Sequence, residues 1–127
     1  MTRILVVDDN PDLVESARLV LEAAGYEVAS ADNPRDGMAA IERACPDLLI
    51  LDVMMDSPDD GFVMARELRG KGFTLPILML TSISDVSGLS YGADPELVPV
   101  DAFQEKPVAP SKLIALVKEL LGKGGTP

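Results

Sequence analysis

The residues best suited to metal or phosphate chemistry directly follow short apolar runs of the sequence. They are acids, hydroxyls and one lysine, at Asp8 and Asp9, at Asp52, at Thr81 and Ser82, and at Glu105 and Lys106 before Pro107. Taken singly, each is explained as a solvated residue at the end of a strand. Taken together, they would meet at one edge of a parallel sheet, where such folds bind ligands.

Three carboxylates in one crevice repel one another unless a cation lies among them. The chain has no histidine and a single cysteine, so oxygen atoms are the ligands available for a metal. Oxygen ligands suit Mg²⁺, which commonly binds through one or two carboxylates and a phosphoryl group. Lys106 would then place a positive charge near a phosphoryl oxygen, and Thr81 would supply a hydroxyl donor. The set predicts Mg²⁺-assisted phosphoryl chemistry.

The composition excludes several other classes of function. Acidic residues outnumber basic ones by 21 to 11, and this charge of -10 would repel nucleic acid and anionic membrane surfaces. No apolar run reaches the roughly 20 residues of a membrane span, and the N-terminal run is too short for a secretory signal. A lone cysteine, Cys45, fits a reducing compartment and is interpreted as a small buried hydrophobe. We therefore expect a soluble cytoplasmic protein.

Short apolar runs alternate with helical patterns over nearly the whole chain. Strands are predicted at 3–7, 26–30, 47–51, 75–80 and 100–104. Asn10 and Asn33, each followed by proline, predict the starts of two helices, which end near Gly25 and Ala44. A short helix is predicted at 61–70, and a last one runs from Pro110 to Gly122. This alternation predicts an α/β fold with a doubly wound parallel sheet, in one domain of residues 1–121 with a flexible tail at 122–127.

Five motifs in this order resemble the receiver domain of two-component response regulators: "VVDDN", "LLILDVMM", "DGF", "ILMLTS" and "EKPV". The resemblance covers essentially the whole chain. It implies a flavodoxin-like sheet of order 2-1-3-4-5, with helices on both faces. It also implies a stand-alone switch that takes a phosphoryl group from a sensor histidine kinase or a histidine phosphotransfer protein. The switch would then signal to a downstream protein or relay the group.

The resemblance assigns the acids as follows. Asp52 is the phosphoacceptor, whose carboxylate would attack phosphorus and form an acyl phosphate. Asp9 and Asp52 would bind Mg²⁺ directly and Asp8 through water, and the main-chain carbonyl of Met54 would complete the protein ligands.

The remaining site residues are also assigned by the resemblance. Lys106 would pair with the phosphoryl group, and Thr81 would move to hydrogen-bond it. Phe103 matches the aromatic residue that turns inward once Thr81 has moved. Ser82 is small, as phosphoryl access requires, and a cis peptide is expected before Pro107.

Two segments depart from the family pattern. The loop between Asp52 and the Asp60–Gly61 pair is one residue longer than usual, so we expect the loop beside the site, which carries Met54, to differ in shape. Residues 82–100 are rich in serine, glycine and proline, although the family has a regular helix there. We therefore expect an irregular segment at 82–100. The family usually dimerises through the face formed by its fourth helix, fifth strand and fifth helix, and for this chain such a dimer is not assumed.

Two other functions fit the same fold. A pseudo-receiver would signal as a protein-interaction module without phosphorylation, but the intact acids, Thr81 and Lys106 argue against it. A Mg²⁺-dependent phosphatase with an aspartyl nucleophile usually needs a second acid two residues after that nucleophile. This position is Met54.

Overall fold

The computed structural model describes residues 2–52, 60–81, 101–105 and 108–124, which are built around a parallel sheet. The strands are β1 (Arg3–Val7), β2 (Glu27–Ala31), β3 (Leu48–Asp52), β4 (Ile77–Thr81) and β5 (Ala102–Glu105). Their order is β2-β1-β3-β4-β5, with every neighbouring pair parallel. This confirms the flavodoxin-like order. It also explains why β1 and β3 are almost wholly apolar, because central strands are covered on both faces.

Four helices lie within these described ranges: α1 (Pro11–Ala23), α2 (Pro34–Ala44), α3 (Asp60–Gly70) and α4 (Pro110–Gly124). Both predicted caps are present. The Asn10 side chain accepts hydrogen bonds from the first-turn amides of α1, and the Asn33 side chain accepts one from the Asp36 amide at 2.8 Å. Helix α4 passes through Gly122 because this glycine does not adopt the positive φ that would end the helix.

The core has two layers, one on each face of the sheet. Successive residues of β1 point to opposite faces, so Ile4 and Val6 enter one layer, and Leu5 and Val7 enter the other. The layer of Ile4 contains apolar residues of α1 and α4, and the layer of Leu5 contains those of α2 and α3. The helices on both faces therefore hold the sheet rigid up to the ends of its strands.

Cys45 is exposed, so the interpretation that it is buried is wrong. The residue caps α2 in the left-handed conformation, with φ of 48°, and its N–H donates to the Ile41 carbonyl. The chain reverses there so that the following Pro46 is the buried residue.

Some predictions fall on parts of the chain that lie outside the described residues. These are the irregular segment at 82–100, the longer loop after Asp52, and the end of the tail at 125–127. Among the helices that are described, none is both long and apolar enough to cross a membrane.

Candidate functional site

Two of the predicted acids lie side by side at the carboxyl ends of the two central strands. Val7 of β1 pairs with Leu51 of β3, so Asp8 and Asp52 are the next residues along these neighbouring strands. Both carboxyl groups are buried, with Asp8 2% and Asp52 4% exposed. Burial of charged groups at this edge requires compensation, since ionised carboxylates are rarely buried without a partner.

Asp9 completes a cluster of three carboxylates. One oxygen from each of Asp8, Asp9 and Asp52 lies within 4.8 Å of the other two, and Asp9 is the exposed member. All three donors are hard oxygens, and their combined negative charge favours a small divalent cation over a neutral ligand. The residues present therefore fit Mg²⁺, with one side of the site open to solvent through Asp9.

The turn between β1 and α1 holds the first of these acids in place. The Asn10 N–H donates to Oδ1 of Asp8 at 2.9 Å, and the Asp8 N–H donates to the Ala31 carbonyl of β2 at 3.1 Å. Asn10 thus acts twice, because its side chain caps α1 while its backbone orients an acid of the cluster. The sequence motif predicts the cap, but a main-chain donor has no signature in the sequence.

The backbone of β4 and β5 brings two more predicted positions to this edge. Asp52 pairs with Leu80, and the next residue, Thr81, pairs with Glu105 at the end of β5. Thr81 therefore lies one step beyond the strand partner of Asp52, and Lys106 is the next residue of the chain after β5. The predicted roles of the Thr81 and Phe103 side chains lie outside the described part of the chain. So do the predictions for Met54, Ser82, Lys106 and Pro107.

An open groove of about 800 Å³ leads away from the cluster along the outer edge of β2, between α1 and α2. Arg18 on its wall donates to the Val28 carbonyl at 2.9 Å and to Oγ of Ser30 at 3.0 Å. The groove therefore changes from acidic at the cluster to mixed in charge farther along. A second cavity, of about 500 Å³, lies at the opposite end of the strands beside Cys45, and its described lining includes none of the predicted site residues.

Comparison with known proteins identifies similar domains. The sequence profile of the response regulator receiver domain matches residues 4–118. The chain is 42% identical over 123 residues to the response regulator MprA of Mycobacterium leprae (strain TN), and this match covers 94% of this chain and 50% of MprA. The chain thus spans about half the length of the curated relatives it matches.

Solved structures show the same similarity in three dimensions. The response regulator protein TrrA from Thermotoga maritima, in complex with Mg²⁺-BeF, has a TM-score of 0.81 at 32% identity, with 94% of this chain and 99% of TrrA covered. A CheY-like receiver domain protein from Methanospirillum hungatei JF-1 has a TM-score of 0.83 at 27% identity, with 98% and 97% covered.

Proposed function

This chain belongs to the response regulator receiver domain family of two-component signalling, and we propose that it is a phosphorylation switch with Asp52 as the phosphoacceptor. The observation that carries the proposal is the cluster of Asp8, Asp9 and Asp52, whose oxygens lie within 4.8 Å of one another. Asp52 ends a fully buried strand, so its backbone is held, while its carboxylate lies beside those of Asp8 and the exposed Asp9. Such positioning is what an in-line attack on phosphorus requires.

In the proposed reaction, an oxygen of Asp52 forms a bond to phosphorus while the bond from phosphorus to the donor histidine nitrogen breaks. The electron pair of the broken bond leaves with the imidazole, and the product is an aspartyl phosphate. Bound Mg²⁺ supplies charge neutralisation for the carboxylates and the phosphoryl oxygens. The Mg²⁺-BeF complex of TrrA supports this choice of metal, since that receiver is 32% identical to this chain.

The remaining assignments are proposals that rest on membership of the family. Lys106 pairs with the phosphoryl group, Thr81 hydrogen-bonds it, and Phe103 turns inward in response. Ser82 leaves room for the phosphoryl group, with a cis peptide before Pro107.

The partners are also proposed from the family, whose members interact with kinases and with downstream targets. Here the donor is a sensor histidine kinase or a histidine phosphotransfer protein, and the output passes to a protein target. Asp9 and Asp52 would hold Mg²⁺ directly and Asp8 through water, and the main-chain carbonyl of Met54 would complete the protein ligands.

Phosphorylation of the purified chain tests the proposal directly. Wild type incubated with Mg²⁺ and acetyl phosphate should gain about 80 Da, the mass of one phosphoryl group. Asp52→Asn should gain nothing. Asp36→Asn is the matched control, because Asp36 lines the same groove but does not belong to the cluster.

Each other outcome contradicts part of the proposal. An adduct that forms equally in Asp52→Asn would place the acceptor elsewhere. An adduct that forms equally in excess EDTA would remove the metal from the reaction. If wild type gains no mass at any Mg²⁺ concentration, the chain is the phosphorylation-independent interaction module instead.

A further inference from the structure

Arg69, near the end of α3, connects this helix to the loop that follows it and to Asp101, which lies 32 residues further along the chain. Its Nη1 donates to the carbonyls of Phe73 at 3.0 Å and Leu75 at 2.9 Å, in the loop that leads to β4. Its Nη2 donates to Oδ2 of Asp101 at 3.0 Å, in the residue immediately before β5. One planar guanidinium thus holds a helix, a loop and the start of a strand in a fixed geometry.

Asp101 is attached to β4 by its backbone as well as by its side chain. Its N–H donates to the Ile77 carbonyl at 3.0 Å, and its Oδ2 accepts from the Ile77 N–H at 2.8 Å. Ile77 is the first residue of β4, so these two bonds precede the first strand pair, between Leu78 and Ala102. The carboxylate that holds this pairing in place is the same one that Arg69 contacts.

β5 depends on such an attachment more than the other strands do. It has four residues, it lies at the edge of the sheet, and it pairs with β4 alone. The residues 82–100 that join β4 to β5 form a long connection, and a long connection does little to restrict how two strands align. A shift of one residue would also turn every side chain of β5 to the other face of the sheet.

We propose that Arg69 and Asp101 are positioning residues that fix the register of β5 on β4, and thereby set the place of Lys106 relative to Asp52. Lys106 follows β5 directly, so each residue of slip would displace it by about 3.3 Å along the strand. The role of Lys106 rests on the proposed function, but the register of β5 does not. The metal cluster lies at the carboxyl ends of β1 and β3, away from β5. Arg69 and Asp101 therefore affect phosphoryl transfer and leave Mg²⁺ binding unchanged.

The test compares Arg69→Ala and Asp101→Asn with a matched control, Lys71→Ala. Lys71 follows α3 and makes an ion pair of the same 3.0 Å length with Glu42, which joins the end of α3 to α2 instead of β5. The second variant keeps the shape of Asp101 and an oxygen for the Ile77 N–H, so it stays informative if Arg69→Ala does not fold. Three quantities are measured in the folded protein: amide hydrogen exchange in β5, the half-saturating Mg²⁺ concentration, and the phosphorylation rate at saturating Mg²⁺.

If Arg69 and Asp101 fix the register of β5, the three measured quantities should respond differently to the substitutions. In Arg69→Ala the β5 amides exchange about tenfold faster and the phosphorylation rate falls about tenfold, since small misplacements of a catalytic group are costly. In Asp101→Asn both changes have the same direction and are smaller, because the remaining oxygen can still accept from the Ile77 N–H and from Arg69. The amides of β1 and β3 exchange as in wild type. The half-saturating Mg²⁺ concentration stays within about twofold of wild type, and Lys71→Ala resembles wild type throughout.

The other outcomes would overturn the proposal that Arg69 and Asp101 fix the register of β5. Exchange and rate that match Lys71→Ala would show that Arg69 and Asp101 do not set the register. A parallel loss of Mg²⁺ affinity and rate would show a general distortion. If wild type itself takes no phosphoryl group, the proposed function fails. The exchange of the β5 amides then decides alone whether Arg69 and Asp101 fix the register of β5.

Discussion

Replacing Asp8 with asparagine should make the metal-free protein more stable and remove most of the stabilisation by Mg²⁺. The substitution removes one negative charge from the cluster. The amide oxygen of asparagine can still accept the Asn10 N–H that now donates to Oδ1 of Asp8 at 2.9 Å. The change therefore reduces the repulsion among the carboxylates and keeps this hydrogen bond of the turn.

The distances in the cluster set the size of this effect. Two unit charges separated by 4.8 Å repel by about 0.9 kcal/mol in water, and by about 3.5 kcal/mol at the effective dielectric constant of about 20 that applies near a protein surface. Asp8 and Asp52 are both buried, so their pair lies toward the upper value, whereas repulsion from the exposed Asp9 is screened. We expect the free energy of unfolding in EDTA to rise by about 1–3 kcal/mol.

Mg²⁺ should stabilise wild type far more than it stabilises Asp8→Asn. A ligand that binds the folded state at a hundred times its dissociation constant stabilises that state by about 2.7 kcal/mol. Wild type should gain this amount at saturation, and Asp8→Asn much less. Urea unfolding of both proteins, in EDTA and in saturating Mg²⁺, measures all four stabilities.

Asp12→Asn is the control for charge removal alone. Asp12 lies in the first turn of α1 outside the cluster, where a negative charge is favourable, so its loss should lower the stability slightly and leave the Mg²⁺ response intact. The electrostatic reasoning is refuted if Asp8→Asn is less stable than wild type in EDTA yet is stabilised by Mg²⁺ to the same extent.

Two further predictions concern the packing beneath the site, and both are checked by urea unfolding. Ile41→Ala should lower the free energy of unfolding by about 2–5 kcal/mol because the Ile41 side chain is fully buried in the core. Its control, Leu19→Ala, lies at a position that is 61% exposed and should change the free energy of unfolding by less than about 0.5 kcal/mol. Gly37→Ala should lower the free energy of unfolding by about 1–3 kcal/mol, since the new Cβ would lie 2.9 Å from the stiff side chain of Val7. Its control is Gly70→Ala, whose new Cβ would lie in open space and should leave the free energy of unfolding unchanged or slightly higher. Equal effects within either pair would contradict the packing argument.

The apolar pattern predicts the strands well, but it ends one residue early at the site. The runs predict strand ends at 51 and 80, whereas β3 ends at Asp52 and β4 at Thr81. The reason is that the pattern reports burial of apolar side chains, while a strand extends as far as its backbone is paired. Asp52 is paired with Leu80 and Thr81 with Glu105, so these two polar residues are the last members of the ladder.

The features that the sequence did not predict depend on contacts that leave no local pattern. Arg69 and Asp101 are separated by 32 residues, and no periodicity relates them. Cys45 is exposed because α2 ends in a left-handed residue there, at a position where glycine is the usual choice. By contrast, the three acids were predicted together because parallel strands bring their carboxyl ends to one edge, whatever the details of the loops.

The position of the acids also explains how the site combines precision with access. Asp52 is the last paired residue of β3, so hydrogen bonds hold its backbone, while its carboxylate lies at the point where the sheet meets solvent. Asp8 is just beyond β1, where its N–H donates to the Ala31 carbonyl of β2 and its Oδ1 accepts from the Asn10 N–H. Because the fold holds these two carboxylates close together, their repulsion favours the binding of a cation. The geometry that lowers the stability of the metal-free protein is therefore the same geometry that gives the site its affinity for Mg²⁺.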